Sequence, residues 1–230
     1  MKKFNDLKGR KMNFDFPKNI IITGHYGCGK TNIAVNLALK LAETDKVTVV
    51  DLDIVNPYFR TADFGSLFES RGIRLAAPMY ANSNLDIPAL SFDLGGFVNG
   101  EGRVIIDVGG DPEGATALGR YGDLLKNRED TALYYVINKY RYLTSTPTEA
   151  KELLEEIKAA SGLSCDGIIN NSNLGALTDN KTVADSVDYA ERAAEVSGCP
   201  LLFTCSQKEN LKGIEPSMEI NVYVKPLWEQ

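Results

Sequence analysis

No two of the four cysteines, Cys28, Cys165, Cys199 and Cys205, stand in a C-x-x-C pair, so the chain offers neither a zinc knuckle nor a disulfide framework. That usage suits a reducing compartment, and a cytoplasmic protein is the expectation. There is no run of eighteen apolar residues and no apolar stretch near the start, so neither a membrane span nor a secretory leader is expected. Internal repeats, low-complexity tracts and linkers are missing as well. Positive charge is scarce: 25 basic residues face 31 acidic ones, for a net charge of −6. Lys2, Lys3, Lys8, Arg10 and Lys11 all precede position 13 beside a single acid, Asp6, which leaves the remainder at −10. An acidic body argues against binding nucleic acid through overall charge. Residues 1–17 read as a basic, solvated and poorly ordered N-terminal segment.

What the chain does have is size and pattern. With 230 residues, 43% of them hydrophobic, it can bury one sizeable core, and residues 18–230 read as a single domain. Short apolar runs recur at Ile20 to Thr23, Val47 to Val50, Val104 to Ile106, Ala132 to Ile137, Gly167 to Ile169 and Leu201 to Phe203. Fully apolar runs suit strands buried on both faces, as in a parallel sheet covered by helices. Between them, Ile33, Ala34, Leu37, Ala38 and Leu41 follow helical spacing. Thr146, Pro147 and Glu149 form a helix start, with a capping-box pair and a first-turn proline, and Gly162 a stop. Val183, Val187, Ala190 and Ala194 predict another helix ahead of Gly198 and Pro200. Alternating elements of this length predict an α/β fold with a doubly wound, mostly parallel sheet and helices on both faces. The ending Ile220, Val222, Val224 alternates with polar residues and predicts an edge strand. Gly65 to Gly102 reads as loops and short elements over one end of the sheet.

The sharpest motif is Gly24-His25-Tyr26-Gly27-Cys28-Gly29-Lys30-Thr31, a full match to G-x-x-x-x-G-K-[ST]. Its glycines let successive amides point inward at a β-phosphate. Lys30 brings a positive charge to the β- and γ-phosphates, Thr31 a hydroxyl to magnesium, and the following helix, with Asn32 in its first turn, a positive N-terminal end. The motif lies between an apolar strand and an amphipathic helix, as this chemistry demands.

A nucleotide hydrolase also needs carboxylates for magnesium and water. Val104 to Ile106 leads into Asp107-Val108-Gly109-Gly110, and Val47 to Val50 leads into Asp51-Leu52-Asp53, at the sheet edge where ligands bind in open α/β folds. Asp107 and Asp51 are the expected magnesium-shell groups, Asp53 the group that positions the attacking water, and the Gly110 amide a sensor of the γ-phosphate. Asp111 reads as a loop or capping residue. Ile168-Ile169-Asn170-Asn171-Ser172-Asn173 stands where such proteins read the base. Guanine readers use N-K-x-D there; Asn173 replaces the paired acceptor, which favours adenine read by Asn170 or Asn171.

Together these marks, with Thr146-Pro147-Thr148-Glu149, resemble the MinD/ParA-type P-loop ATPases, a group that includes the nitrogenase iron protein and related maturation ATPases. The resemblance covers most of residues 18–204. It implies a sheet of seven or eight strands, ATP with magnesium, and nucleotide-dependent dimerisation that controls a protein partner. The pattern departs at one place. The family's K-G-G-x-G-K-[ST] loop carries an early lysine, and this chain has His25 there and Tyr26 at the next position. No cysteine near Asp107 to Arg120 stands ready to bridge an iron–sulfur cluster, and Glu219 to Gln230 has no basic amphipathic helix for membrane attachment. The leading expectation is an ATP-hydrolysing switch. A phosphotransferase or ligase with Asn56, Tyr58, Arg60 and Asp86 around its acceptor is a second reading, and a nucleotide-sensing module with little turnover a third.

Overall fold

A computed structural model describes residues 15–53, 61–77, 93–110, 112–126 and 128–224. Eight strands run β1 (Asn19–Gly24), β2 (Val47–Leu52), β3 (Arg74–Ala76), β4 (Arg103–Val108), β5 (Thr131–Ile137), β6 (Gly167–Asn170), β7 (Leu201–Ser206) and β8 (Ser217–Glu219). The helices are α1 (Lys30–Leu41), α2 (Gly65–Ser70), α3 (Leu94–Asn99), α4 (Pro112–Gly119), α5 (Gly122–Leu125), α6 (Pro147–Ser161), α7 (Asn180–Ala184) and α8 (Val187–Ser197). The strands form one sheet in the order β3-β2-β4-β1-β5-β6-β7-β8, and every pairing is parallel.

Both faces of the sheet are buried, which is why its strands are apolar throughout. Ile20 and Ile22 of β1 point into a cluster with Ile33 and Leu37 of α1 and Val49 and Ile105. Ile21 points the other way, to Val50, Ile106, Leu118 and Leu133. Farther along that second face, Tyr135 and Ile137 meet Leu154 of α6 and Ala190 of α8. Removing such a wholly buried branched side chain costs about 2–5 kcal/mol. Phe16, ahead of β1, is already in the core, its ring edge-on to Tyr134 and Phe203.

Helix α6 begins as its sequence predicts. The Thr146 hydroxyl accepts from the Glu149 amide at 3.2 Å, and the Glu149 carboxylate accepts from the Thr146 amide at 3.0 Å. Gly162, at φ 70°, ends it. Two sequence expectations are corrected. The helix expected through Val183 and Ala194 is two, α7 and α8, because Ser186 turns its hydroxyl back to the Val183 carbonyl at 2.7 Å and interrupts the ladder. The edge strand lies at Ser217–Glu219, ahead of the alternating Ile220 to Val224. That later segment lies along α1, where the Asn32 and Asn36 side chains take up its backbone groups in place of a neighbouring strand.

Within Gly65 to Gly102 the described residues hold α2, β3 and α3. Among the described residues, no helix is long and apolar enough to cross a membrane.

Candidate nucleotide site

The carboxyl ends of β1, β2, β4, β5 and β6 open onto one edge, and residues 24–31 cross it between β1 and α1. Gly29 adopts φ 90°, and the Asn171 amide nitrogen lies only 2.2 Å from where a Cβ on Gly29 would stand. A side chain there is barred by both conformation and space. The turn is closed by the Cys28 amide donating to the His25 carbonyl at 3.2 Å. Helix α1 then starts at Lys30 with no side-chain cap and no acidic residue in its first turn. Its leading N–H groups and the positive end of its dipole are left for an anion. The contrast with the fully capped α6 marks this as a property of the site.

Lys30 is 7% exposed and folds back over the loop, its ammonium donating to the His25 carbonyl at 3.2 Å. Gly110, after β4, comes so close that a Cβ there would sit 2.5 Å from the Tyr26 amide nitrogen and 2.6 Å from the Lys30 ammonium. The backbone after β4 therefore touches the phosphate loop directly. Thr31 donates its hydroxyl to Asp107 Oδ2 at 2.8 Å. The other oxygen, Asp107 Oδ1, is buried and has no hydrogen-bond partner among the described residues, as is the case for the Thr61 hydroxyl. Burial, and then the charge of Asp51 on the adjacent strand, push the Asp107 carboxyl up to about 7. An orphaned carboxylate oxygen beside a threonine hydroxyl, below an uncapped helix, fits a hard divalent cation that prefers oxygen ligands.

Asp51 and Asp53 both reach this edge and are buried. Asp51 Oδ1 accepts from the Asp53 amide at 2.9 Å and Oδ2 from the Ala62 amide at 3.0 Å, so it also pins the chain that follows β2. His25 lies beside Lys30, and burial and that neighbouring charge hold its imidazole below the ordinary histidine range. Burial raises the Cys28 thiol, which keeps it protonated.

The asparagines serve a different end. Asn170 is fully buried: its Nδ2 donates to Ser186 Oγ at 2.9 Å and Thr204 Oγ1 at 3.2 Å, while its Oδ1 accepts from both the hydroxyl and the amide of Ser172. Its hydrogen-bonding capacity is filled from within, which corrects the base-reading role expected of it. Asn171 donates to the Cys28 carbonyl at 2.8 Å and so braces the phosphate loop from behind. Asn32 is likewise turned away, accepting from the Tyr223 and Val224 amides and donating to the Asn221 carbonyl. Asn56, Tyr58, Arg60, Asp86 and Asp111 lie outside the described residues. Sequence reasoning missed Asn138, whose Oδ1 accepts from the Tyr140 and Asn173 amides, and Arg141, whose guanidinium lies against Gly27. Neither belongs to a motif.

No family model matches the chain, and no curated protein matches it. Solved structures do. The cell division protein FtsY of Thermotoga maritima superposes with a TM-score of 0.55 at 18% identity, over 87% of this chain and 68% of that one. The signal recognition particle 54 kDa protein of Aeropyrum pernix, solved in complex with GDP, gives 0.55 at 18% identity, over 86% and 43%. FtsY of Mycoplasma mycoides gives 0.53 at 19% identity, over 87% and 64%. The chain thus spans less than two thirds of the last two. With the eight-stranded parallel sheet and the loop between β1 and α1, the likeness defines the fold as that of the P-loop NTPases. The narrower MinD/ParA resemblance continues to rest on sequence marks alone.

Proposed function

We propose that the chain binds a nucleoside triphosphate with magnesium on the loop at residues 24–31, hydrolyses it, and uses the two states to control a protein partner. The observation that carries this reading is the Thr31–Asp107 pair, with Asp107 Oδ1 orphaned, at the foot of an uncapped helix. Lys30 and the amides of the loop and of the first turn of α1 hold the phosphates. Thr31 and Asp107 are the groups that would hold magnesium, which when bound neutralises charge on the β- and γ-phosphates. Asp51 stands beside them, and Asp53 orients a water for attack. The Gly110 amide, in contact with the loop, responds to the γ-phosphate and passes the change to α4.

Adenine is the favoured base, because Asn173 stands where a guanine reader would carry a carboxylate. Its Nδ2 donates to the Asn171 carbonyl at 2.8 Å and its Oδ1 accepts from the Gly175 amide at 3.1 Å. That the Aeropyrum protein was solved in complex with GDP is reason to assay GTP in parallel. Apolar side chains stand exposed around this edge, Tyr142 at 82% and Leu177 at 80%, with Tyr26 and Leu143 also open, and they support a docking role. The test is phosphate release from ATP or GTP with magnesium. The wild type is expected to turn over at least tenfold faster than Lys30→Ala, and equal rates would refute hydrolysis.

A further inference from the structure

Within residues 24–31 the single basic side chain is Lys30, since His25 replaces the lysine of the family's pattern. His25 is uncharged at neutral pH, held so by burial and by Lys30. The loop therefore presents one cation to a ligand that carries about four negative charges when fully ionised. A second cation stands just outside it. The guanidinium of Arg141 lies against the loop, its Nε and Cζ 3.6 Å and its Nη1 3.8 Å from where a Cβ on Gly27 would stand. Gly27 itself takes φ 73°, a conformation that favours glycine, and the guanidinium stands within ordinary van der Waals reach of the Cβ position there, at the middle of the phosphate cradle.

The segment that carries Arg141 is fastened on both sides. Lys139 donates its amide to Ser172 Oγ at 2.9 Å and its ammonium to the Asp185 carbonyl at 2.7 Å. The Tyr140 hydroxyl donates to the Thr182 carbonyl at 2.7 Å, and Thr144 donates its hydroxyl to the Asn138 carbonyl at 2.8 Å. The Tyr189 hydroxyl donates to the Thr144 carbonyl. Between these anchors Leu143 takes φ 64°, a left-handed conformation that a branched side chain adopts at a cost of about 1 kcal/mol or more. Amid this bonding the Arg141 side chain is exposed and, among the described residues, makes no hydrogen bond or ion pair. Arg103, Arg128 and Arg192, by contrast, each grip an aspartate.

We propose that Arg141 binds the polyphosphate of a nucleoside triphosphate held on the same chain's loop, donating to its outer oxygens and replacing the charge absent at position 25. This rests on the nucleotide reading above. A planar guanidinium suits phosphate oxygens, which it can bind through two parallel N–H donors. The side chain needs only to swing about its own bonds, since the backbone beneath it is already set.

The test measures equilibrium binding of ATP and ADP with magnesium, and of GTP and GDP in parallel, to wild type, Arg141→Ala and Arg141→Lys. Arg141→Ala is expected to lose at least tenfold in triphosphate affinity and less than threefold in diphosphate affinity, with an unchanged melting temperature. Arg141→Lys recovers part of the loss, and millimolar guanidinium ion restores turnover to Arg141→Ala. Mixing Arg141→Ala with Lys30→Ala restores no activity if the contact lies within one chain. Equal losses of triphosphate and diphosphate would place the guanidinium on the base or ribose and overturn the assignment. So would recovery in the mixture, or an Arg141→Ala variant that binds like wild type. A wild type that binds no nucleotide overturns the parent reading itself.

Discussion

The two halves of the sheet's carboxyl edge carry opposite kinds of polar chemistry. Over β2 and β4 stand carboxylates, and there Asp107 and Thr61 are each left with an oxygen that has no partner among the described residues. Over β5 and β6 stand amides, and Asn138, Asn170, Asn171 and Asn173 all spend their side chains on backbone and hydroxyl groups of the chain itself. Buried polar groups without partners are costly, so an edge that keeps them is poised for a ligand that completes them. The satisfied half is scaffold: it sets the phosphate loop and the Arg141 segment in place. The same kind of position, the end of a central strand, thus serves ligand and framework according to whether its valences are filled.

That contrast can be broken most forcefully at Asn170. Replacing it with alanine removes four internal hydrogen bonds and takes a partner from each of Ser186, Thr204 and Ser172, at about 3 kcal/mol or more of stability. Denaturant unfolding should show that loss with or without nucleotide.

At Asp107 the sign reverses. In metal-free protein its carboxyl is raised from 3.8 to about 7, so the folded state holds a proton that the unfolded state gives up. Its contribution to stability is full below pH 4 and is lost as pH rises through about 7. Asp107→Asn should therefore stabilise the metal-free protein at pH 8 by up to about 4 kcal/mol, with the gain vanishing at pH 4. The same substitution should abolish magnesium-dependent hydrolysis. A stability gain independent of pH, followed by thermal unfolding in EDTA, would contradict this account of the carboxylate half.

Asn171→Ala is the mildest test. Losing its bond to the Cys28 carbonyl should weaken ATP and GTP alike by about tenfold, corresponding to roughly 1.4 kcal/mol, and leave the ratio between them unchanged. A changed ratio, read from competition binding, would return Asn171 to base recognition.

Much of this was legible from the chain alone. The motif at residues 24–31 must sit between strand and helix because a phosphate needs amides and a helix end. The apolar runs marked β1, β2 and β4 to β7, since strands covered on both faces cannot alternate. Thr146, Pro147 and Glu149 marked α6 through purely local bonds. The asparagines were not legible in this way. An amide at a strand end looks the same whether it faces a purine or, as Asn170 does, meets Ser186 and Thr204 from elsewhere in the chain. The partners of the Asn32 side chain were hidden for the same reason, lying more than 190 residues later at Tyr223 and Val224. Arg141 has no motif at all, and its place depends on how β5 and its following loop stand beside β1. The short strand β3, Arg74–Ala76, has too few residues to show a period.

The central claim is that the edge left unfinished over β1, β2 and β4 is completed by a nucleoside triphosphate and magnesium. Isothermal titration of ATP, and separately GTP, into wild type and Lys30→Ala with and without magnesium measures it directly. The account predicts one site per chain for at least one nucleotide, tightened by magnesium and weakened at least tenfold by Lys30→Ala. Absence of binding to the wild type, or binding that neither magnesium nor Lys30→Ala alters, would contradict it.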